Sequence, residues 1–450
     1  MSWRTLRDSA SRALQRVSQH PLVRAAAGFA TMTAIVKAVA FFKEAVVASV
    51  FGVGSSMDSY LMALAVIGFP SGVLLNAAQT VLVRDYVRAA ERDGEHAARA
   101  YLRGAALVIC AALTVVLIAW LAALPAILSL VGHGMDAAQR ARVTQNIYWL
   151  LPYYYLSSLN LLGYGALQAR KSFVRSALIP IATPAIILAL LAVAGAQLAA
   201  LIGLLVLGTA IESVCILVAL GRAPRAPARA AQAVRPWTRA FIADTLTLMP
   251  GTLVGGLSPL IEQTIASGLG AGAISALGYA AKLPATLNSL FVTAVGVTVL
   301  PYFSQRLARG YDAACRRFFI RYVVLVALVG LGVSIVAVLA SHPFVRVAFQ
   351  HGRFSAQSAW LVTALQQSYL WQLPGALAAI VAIRFAAAQG RYRMLTFGNL
   401  LMVPITGLLQ WRLSILWGAP GLAFGTSLGY AVSAVIFVWL ALRPPLGSLQ

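Results

Sequence analysis

The sequence predicts an all-α polytopic membrane protein of about twelve transmembrane helices, set in two six-helix lobes related by a pseudo-two-fold axis. Three observations carry that expectation. The chain is 60% hydrophobic and 10% charged, with a mean hydropathy of +0.82, whereas soluble domains carry roughly a quarter charged residues. Its apolar residues fall into twelve runs, each long enough for the roughly 20 residues a spanning helix needs. The two halves also repeat one another.

The runs lie near 26–50, 58–83, 104–130, 146–168, 176–194, 197–220, 240–266, 273–301, 322–341, 358–383, 394–416 and 420–442. Ahead of them, Trp3, Leu6, Ala10, Leu14 and Val17 recur at helical spacing among Arg4, Arg7, Arg12 and Arg16. That pattern predicts a basic amphipathic helix over 1–25, suited to an anionic membrane face. No compact apolar run with a small-residue cleavage site follows the basic start, so no cleavable leader is expected. The stretch 221–239, "GRAPRAPARAAQAVRPWTR", reads as a flexible cytoplasmic linker. It divides a first lobe, 26–220, from a second, 240–443, and 444–450 is left as a tail.

The net charge of +23 is explained by topology. Of the 35 basic residues, 27 fall in the tails and loops of one side, and four, Arg140, Arg142, Arg346 and Arg353, in loops of the other. Basic loops resist translocation, so the rich side is cytoplasmic. Both termini are expected there, in a bacterial inner membrane, and no nucleic-acid partner is expected. Cys110, Cys215 and Cys315 lack any framework spacing. His133 and His351 stand in separate outward loops, and single histidines without ligand spacing read as turn residues rather than a metal site. No phosphate-binding loop, nucleophile elbow or zinc motif occurs, so neither an enzyme nor a resident cofactor is expected.

The repeat holds register over some 95 residues. "KEAVVASVFGVG" (43–54) matches "IEQTIASGLGAG" (261–272), and "GHGMDAAQ" (132–139) matches "QHGRFSAQ" (350–357), both at an offset of 218. "YWLLP" (148–152) answers "LWQLP" (370–374) at 222, and "LQARKSF" (167–173) answers "AQGRYRM" (388–394) at 221. An internal duplication follows. Six spans return the chain to its starting side, so the repeats are parallel, and two such lobes enclose a site suited to alternating access.

The remaining four basic residues lie within or at the ends of spans: Lys37, Lys43, Lys282 and Arg412. A charge near the bilayer centre costs at least a few kcal/mol and normally faces a cavity or a partner. Lys37 and Glu44 are seven residues apart and share a helix face. With Asp58, Glu262 and Lys282 they predict a cationic central cavity holding Lys37, Lys43, Lys282, Asp58, Glu44 and Glu262. Structural ion pairing between helices, with snorkelling of Lys43, accounts for the same residues. Arg412, beside Trp411, reads as an interfacial anchor. "GFPSG" (68–72) and "KLP" (282–284) interrupt spans two and eight, which makes Pro70, Gly72 and Pro284 candidate hinges or inert kinks.

At these residues the chain resembles a known family. "FFKEAVVASVFGVGSSMDSYLMAL" (41–64), "LGYAAKLPATLNSLFVTAVGVTVLPYFS" (277–304) and "FQHGRFS" (349–355) resemble the first-helix signature, the eighth helix and an outward loop of the MurJ/MviN lipid II flippases. That family sits within the MATE-like exporter superfamily of two six-helix lobes. The resemblance implies a flippase that moves a polyprenyl-diphosphate-linked saccharide to the outer leaflet. It places the family's basic residues on Lys37, Lys43 and Lys282, and its second-helix acid on Asp58. Each basic position is Lys where the family usually has Arg, so charge is kept without the bidentate fork. The family's helix-two arginine pair falls near Ser71 and Gly72, and typical members carry two further C-terminal helices. Those departures suggest a substrate such as an exopolysaccharide or capsule unit rather than the wall precursor itself. Coupling to Na+, to H+ or to the membrane potential is open, and glycan-synthesis enzymes are possible partners. Two alternatives remain: a cation-coupled drug exporter of the MATE kind, and a non-transporting partner in a glycan-synthesis complex.

Overall fold

A computed structural model gives the fold and describes residues 21–170, 172–221, 228–292, 303 and 312–443. Among them there is no strand. The first lobe comprises α1 (Pro21–Phe51), α2 (Ser55–Ala122), α3 (Leu124–Val131), α4 (Ala137–Trp149), α5 (Leu151–Ala169) and α6 (Phe173–Leu178). A 3-10 turn at Ile179–Ile181 leads on to α7 (Ala182–Ala194) and α8 (Leu198–Leu220). The second lobe holds α9 (Ala228–Ser267), α10 (Ala273–Ala280), α11 (282–292), α12 (Asp312–Phe349), α13 (Ala356–Leu370), α14 (Gln372–Ala388) and α15 (Tyr392–Leu442).

Seven helical stretches among the described residues are long and apolar enough to cross a membrane. Two of them, Ser55–Ala122 and Leu395–Leu442, hold two expected spans each, with non-helical residues at Gly94 and Gly418 where the chain turns. α1 and the α4–α5 pair account for two of the other three expected spans, and α10–α11 for the third as far as residue 292. Large apolar side chains such as Leu107, Leu217, Val336 and Leu339 face outward from the bundle, as lipid contact requires.

Three boundaries move. Helix α1 begins at Pro21, ahead of the expected 26, and the rest of the 1–25 segment lies outside the described residues. Helix α9 begins at Ala228, so most of the stretch read as a flexible linker is helical. The alanines and arginines of 228–239 are good helix formers, and they outweigh the one proline among them, Pro236. The tail 444–450 lies outside the described residues.

The internal repeat is visible in the backbone. Gly52 and Gly270, 218 apart in sequence, both take positive φ, at 67° and 98°. The paired "WLLP" and "WQLP" segments both break a helix, at Leu150 and at Trp371. Arg170 donates from Nη1 to the carbonyl of Leu220 at 2.8 Å, and Arg391 donates to that of Leu440 at 3.2 Å. Each of these arginines thus satisfies a carbonyl at or near the end of its lobe's last helix, where the helix leaves such groups unpaired.

Pro70 does not interrupt α2, contrary to the expectation for "GFPSG": helical geometry continues through Pro70 and Gly72, and the one non-helical residue of α2 is Gly94. A proline leaves the carbonyl four residues earlier without its donor. Here that carbonyl belongs to Val66, and the indole N–H of Trp120 donates to it at 3.0 Å. One turn on, Thr252 of α9 donates its hydroxyl to the carbonyl of Val73 at 2.9 Å. Span eight does break, at Ala281, so that Pro284 sits in the first turn of α11, where a missing N–H costs nothing.

The lobes join along α2 and α9, with α9 also packed on α15. One apolar core passes from Val47, Met57 and Tyr60 in the first lobe to Ala266, Tyr279, Phe349 and Phe354 in the second. A separate core, with Phe303, Phe319, Phe385 and Phe437, lies wholly in the second lobe.

Candidate functional site

At the loops that follow α3 and α12, the end of the bundle poor in arginine, the lobes meet with almost no space between backbones. The N–H of Arg353 donates to the carbonyl of Ser49 at 2.7 Å, and the hydroxyl of Ser267 to that of Val131 at 3.1 Å. A side chain at Gly134 would stand 2.2 Å from the carbonyl oxygen of Ser267, and one at Gly352, with φ of 59°, would stand 2.4 Å from that of Ser49. Glycines in the repeated "GHG" and "HGR" loops therefore permit the closure. The lobes are closed against one another at this end.

Asp58 belongs to this seam. It is 3% exposed. The N–H of Gly272 donates to its Oδ2 at 2.5 Å and that of Ser275 to its Oδ1 at 2.7 Å. It thereby caps the N-terminus of α10 from the opposite lobe, satisfying donors that a helix start leaves free and meeting the positive end of its dipole. The structure places Asp58 in the closure rather than beside the lysines.

Lys43, Glu44 and Lys282 come together. Lys43 donates to Oε1 of Glu44 beside it on α1, and Nζ of Lys282, at the start of α11 in the second lobe, lies 3.3 Å from the same oxygen. The side chains of Lys43, Glu44 and Lys282 are 20%, 15% and 37% exposed, so the group is partly open rather than dry. Two ammonium groups share one carboxylate, which leaves a unit of positive charge across the junction of the lobes. Lys37 lies two helical turns earlier on α1, about 10 Å along the axis. It is partly buried and makes no ion pair among the described residues. Together the three lysines form a cationic ladder from α1 to α11.

Glu262, the repeat counterpart of Glu44, is not brought into this group. It lines a cavity of about 450 Å³ inside the second lobe with Asn288, Gln372, Thr406 and Tyr430, and Tyr369 donates its hydroxyl to Glu262 Oε1. Arg412 stacks over the ring of Trp411, with 4.8 Å from guanidinium carbon to ring centroid.

Two features escaped sequence reasoning. Arg84 of α2 pairs across the lobes with Asp244 of α9, and its Nε also donates to Asp85 at 2.8 Å. Glu212 and its surrounding oxygens form a second cavity in the first lobe. Both acids are visible in the sequence, but their partners come from other helices at no fixed spacing.

Two six-helix lobes, closed at one end by glycine contacts and linked by a charged group shared between them, define a two-lobed membrane transporter. The family model described as lipid II flippase MurJ matches residues 47–447. The chain belongs to that family. It is 26% identical over 449 residues to a probable lipid II flippase MurJ of Synechocystis sp., an alignment that spans 95% of this chain and 82% of that protein. A solved lipid II flippase MurJ in an inward closed conformation matches its fold with a TM-score of 0.77 at 16% identity, covering 93% of this chain and 88% of the other. An inward-facing multidrug resistance MATE transporter matches with a TM-score of 0.69 at 12% identity, covering 92% and 97%. These likenesses carry the same two-lobed fold.

Proposed function

We propose that this protein is a flippase for a diphosphate-linked lipid saccharide, lipid II or a related lipid-linked glycan, which it moves from the inner to the outer leaflet of a bacterial inner membrane. Family membership supports the lipid-linked substrate. The observation that carries the reading to this chain's own residues is the shared pairing of Lys43 and Lys282 on Glu44 across the lobes.

An arriving diphosphate competes with Glu44 for two ammonium groups and finds Lys37 nearby on the same helix. Lysine holds a phosphate as a point charge without the two-pronged fit of arginine. That suits a carrier, which must release what it binds. Moving Lys282 relative to α1 couples occupancy of the group to the angle between lobes. The positive surplus disfavours a cationic drug as cargo. Energy from the membrane potential or from a cation gradient would reset the cycle, and the basic loops support cytoplasmic termini.

The test is transport in proteoliposomes holding fluorescent lipid II or a polyprenyl-diphosphate glycan without the peptide. Wild-type protein is expected to translocate at least one of them, and the K37A/K282A double variant neither. Equal translocation by that variant would overturn the assignment, and the preferred lipid identifies the headgroup.

A further inference from the structure

We propose that Glu212 anchors a monovalent-cation site inside the first lobe, formed by α5, α7 and α8 and separate from both the lysine group and the cavity around Glu262. Glu212 lies on α8, is 9% exposed and forms no ion pair among the described residues. Its two oxygens are both acceptors. The hydroxyl of Tyr164 donates to Oε2 at 2.8 Å, and the backbone N–H of Thr183 donates to Oε1 at 3.3 Å. Both partners are neutral donors, so neither offsets the charge of the carboxylate. A carboxylate held only by donors within a membrane domain calls for a compensating positive charge.

The space for that charge adjoins it. A cavity of about 220 Å³ is lined by Glu212 together with Ser157, Asn160, Tyr164, Thr183 and Thr209, and no basic residue lines it. Hard cations take oxygen ligands of this kind. Oγ1 of Thr183 is fully buried and has no hydrogen-bond partner. Its position is fixed by close packing: a side chain at Gly208, one turn before Glu212 on α8, would stand 2.7 Å from Cα of Thr183. The amide of Asn160 is spent in holding the frame, since it donates to the carbonyl of Thr209 at 3.0 Å while its oxygen accepts from Ser213 at 2.7 Å. One carboxylate against neutral oxygens matches a single positive charge, which selects an alkali cation such as Na+ over a divalent ion. The site does not depend on the identity of the lipid cargo.

The full chain is purified in the E262Q background, which removes the second-lobe carboxylate. Its thermal midpoint is followed as NaCl replaces choline chloride at constant ionic strength and pH. A ligand that binds only the folded state raises the midpoint saturably. The expected result is such a rise in E262Q and its loss in E262Q/E212Q. E262Q/T183V, which keeps the backbone N–H bond to Glu212, is expected to need on the order of tenfold more Na+ for the same rise. That variant decides the matter should E212Q fail to fold. A Na+ response that survives unchanged in either double variant overturns the proposal. So does a midpoint in E262Q that is indifferent to Na+ and moves only with pH, which would make the ligand a proton.

Discussion

The carboxylate of Asp58, on α2 of the first lobe, accepts the backbone N–H of Ser275, on α10 of the second, at 2.7 Å. With the matching bond from Gly272, this joins the lobes through a buried charge and a helix start. Hydrogen bonds to a charged group are worth about 1.5–3 kcal/mol each. Losing both is enough to shift a conformational equilibrium of a few kcal/mol. D58A is therefore expected to populate the outward-open state. Ser267, 5% exposed in the seam, reports it: an impermeant thiol reagent added outside should label S267C in D58A and spare it in the Asp58 background. Equal protection in both would show that the clasp is energetically idle.

The glycine contacts make an independent prediction about the same seam. A Cβ at Gly134 would collide with the carbonyl of Ser267, whereas one at Gly54 would meet nothing within 4 Å. Overpacking of this kind costs about 1–3 kcal/mol. G134A should open the outer side and slow transport, and G54A should do neither. The reporter is again S267C labelling, compared with translocation rate in the same preparations.

How far the sequence foretold this arrangement depended on the distance over which each signal acts. Hydropathy and the placement of arginines are local or additive, and they gave the spans and two lobes. The repeat paired Gly52 with Gly270 correctly because a positive-φ turn is a property of a few adjacent residues. Glu44 and Lys282 are both legible as membrane charges, but only the fold sets them 3.3 Å apart. A buried acid near buried bases suggests pairing, so the sequence alone groups Asp58 with the lysines. Its partners are backbone N–H groups, which carry no mark in a sequence. Pro70 reads as a break in the sequence because Trp120, the donor that relieves it, lies 50 residues away.

That donor is testable. The indole of Trp120 supplies the hydrogen bond to Val66 that Pro70 cannot. W120F should cost about 1 kcal/mol, the net worth of a typical hydrogen bond. Restoring the N–H with P70A should lower the cost of W120F, because the helix then satisfies Val66 itself. A double-mutant cycle on thermal or denaturant stability measures the coupling. Strict additivity of the two changes would mean that Trp120 acts only through packing against Phe69, whose ring centroid lies 5.5 Å from its own.

The lysine group separates stability from transport. In K282A, Glu44 keeps Lys43 as a partner, so the fold should lose little, about 1 kcal/mol or less for a pair this exposed. Transport should nonetheless fall severely, because the second lobe no longer contacts the headgroup. In E44Q, two ammonium groups lose their shared counter-charge and repel one another. Removing one member of an ion pair costs more than the pair is worth when the remaining charges stay desolvated. E44Q should thus be the less stable variant, yet it should bind a diphosphate lipid more tightly, since the internal competitor is gone. Tighter binding with slower turnover is the expected signature, read from lipid affinity and translocation rate on the same protein. Weaker binding in E44Q would mean that Glu44 orients the lysines rather than competing for them.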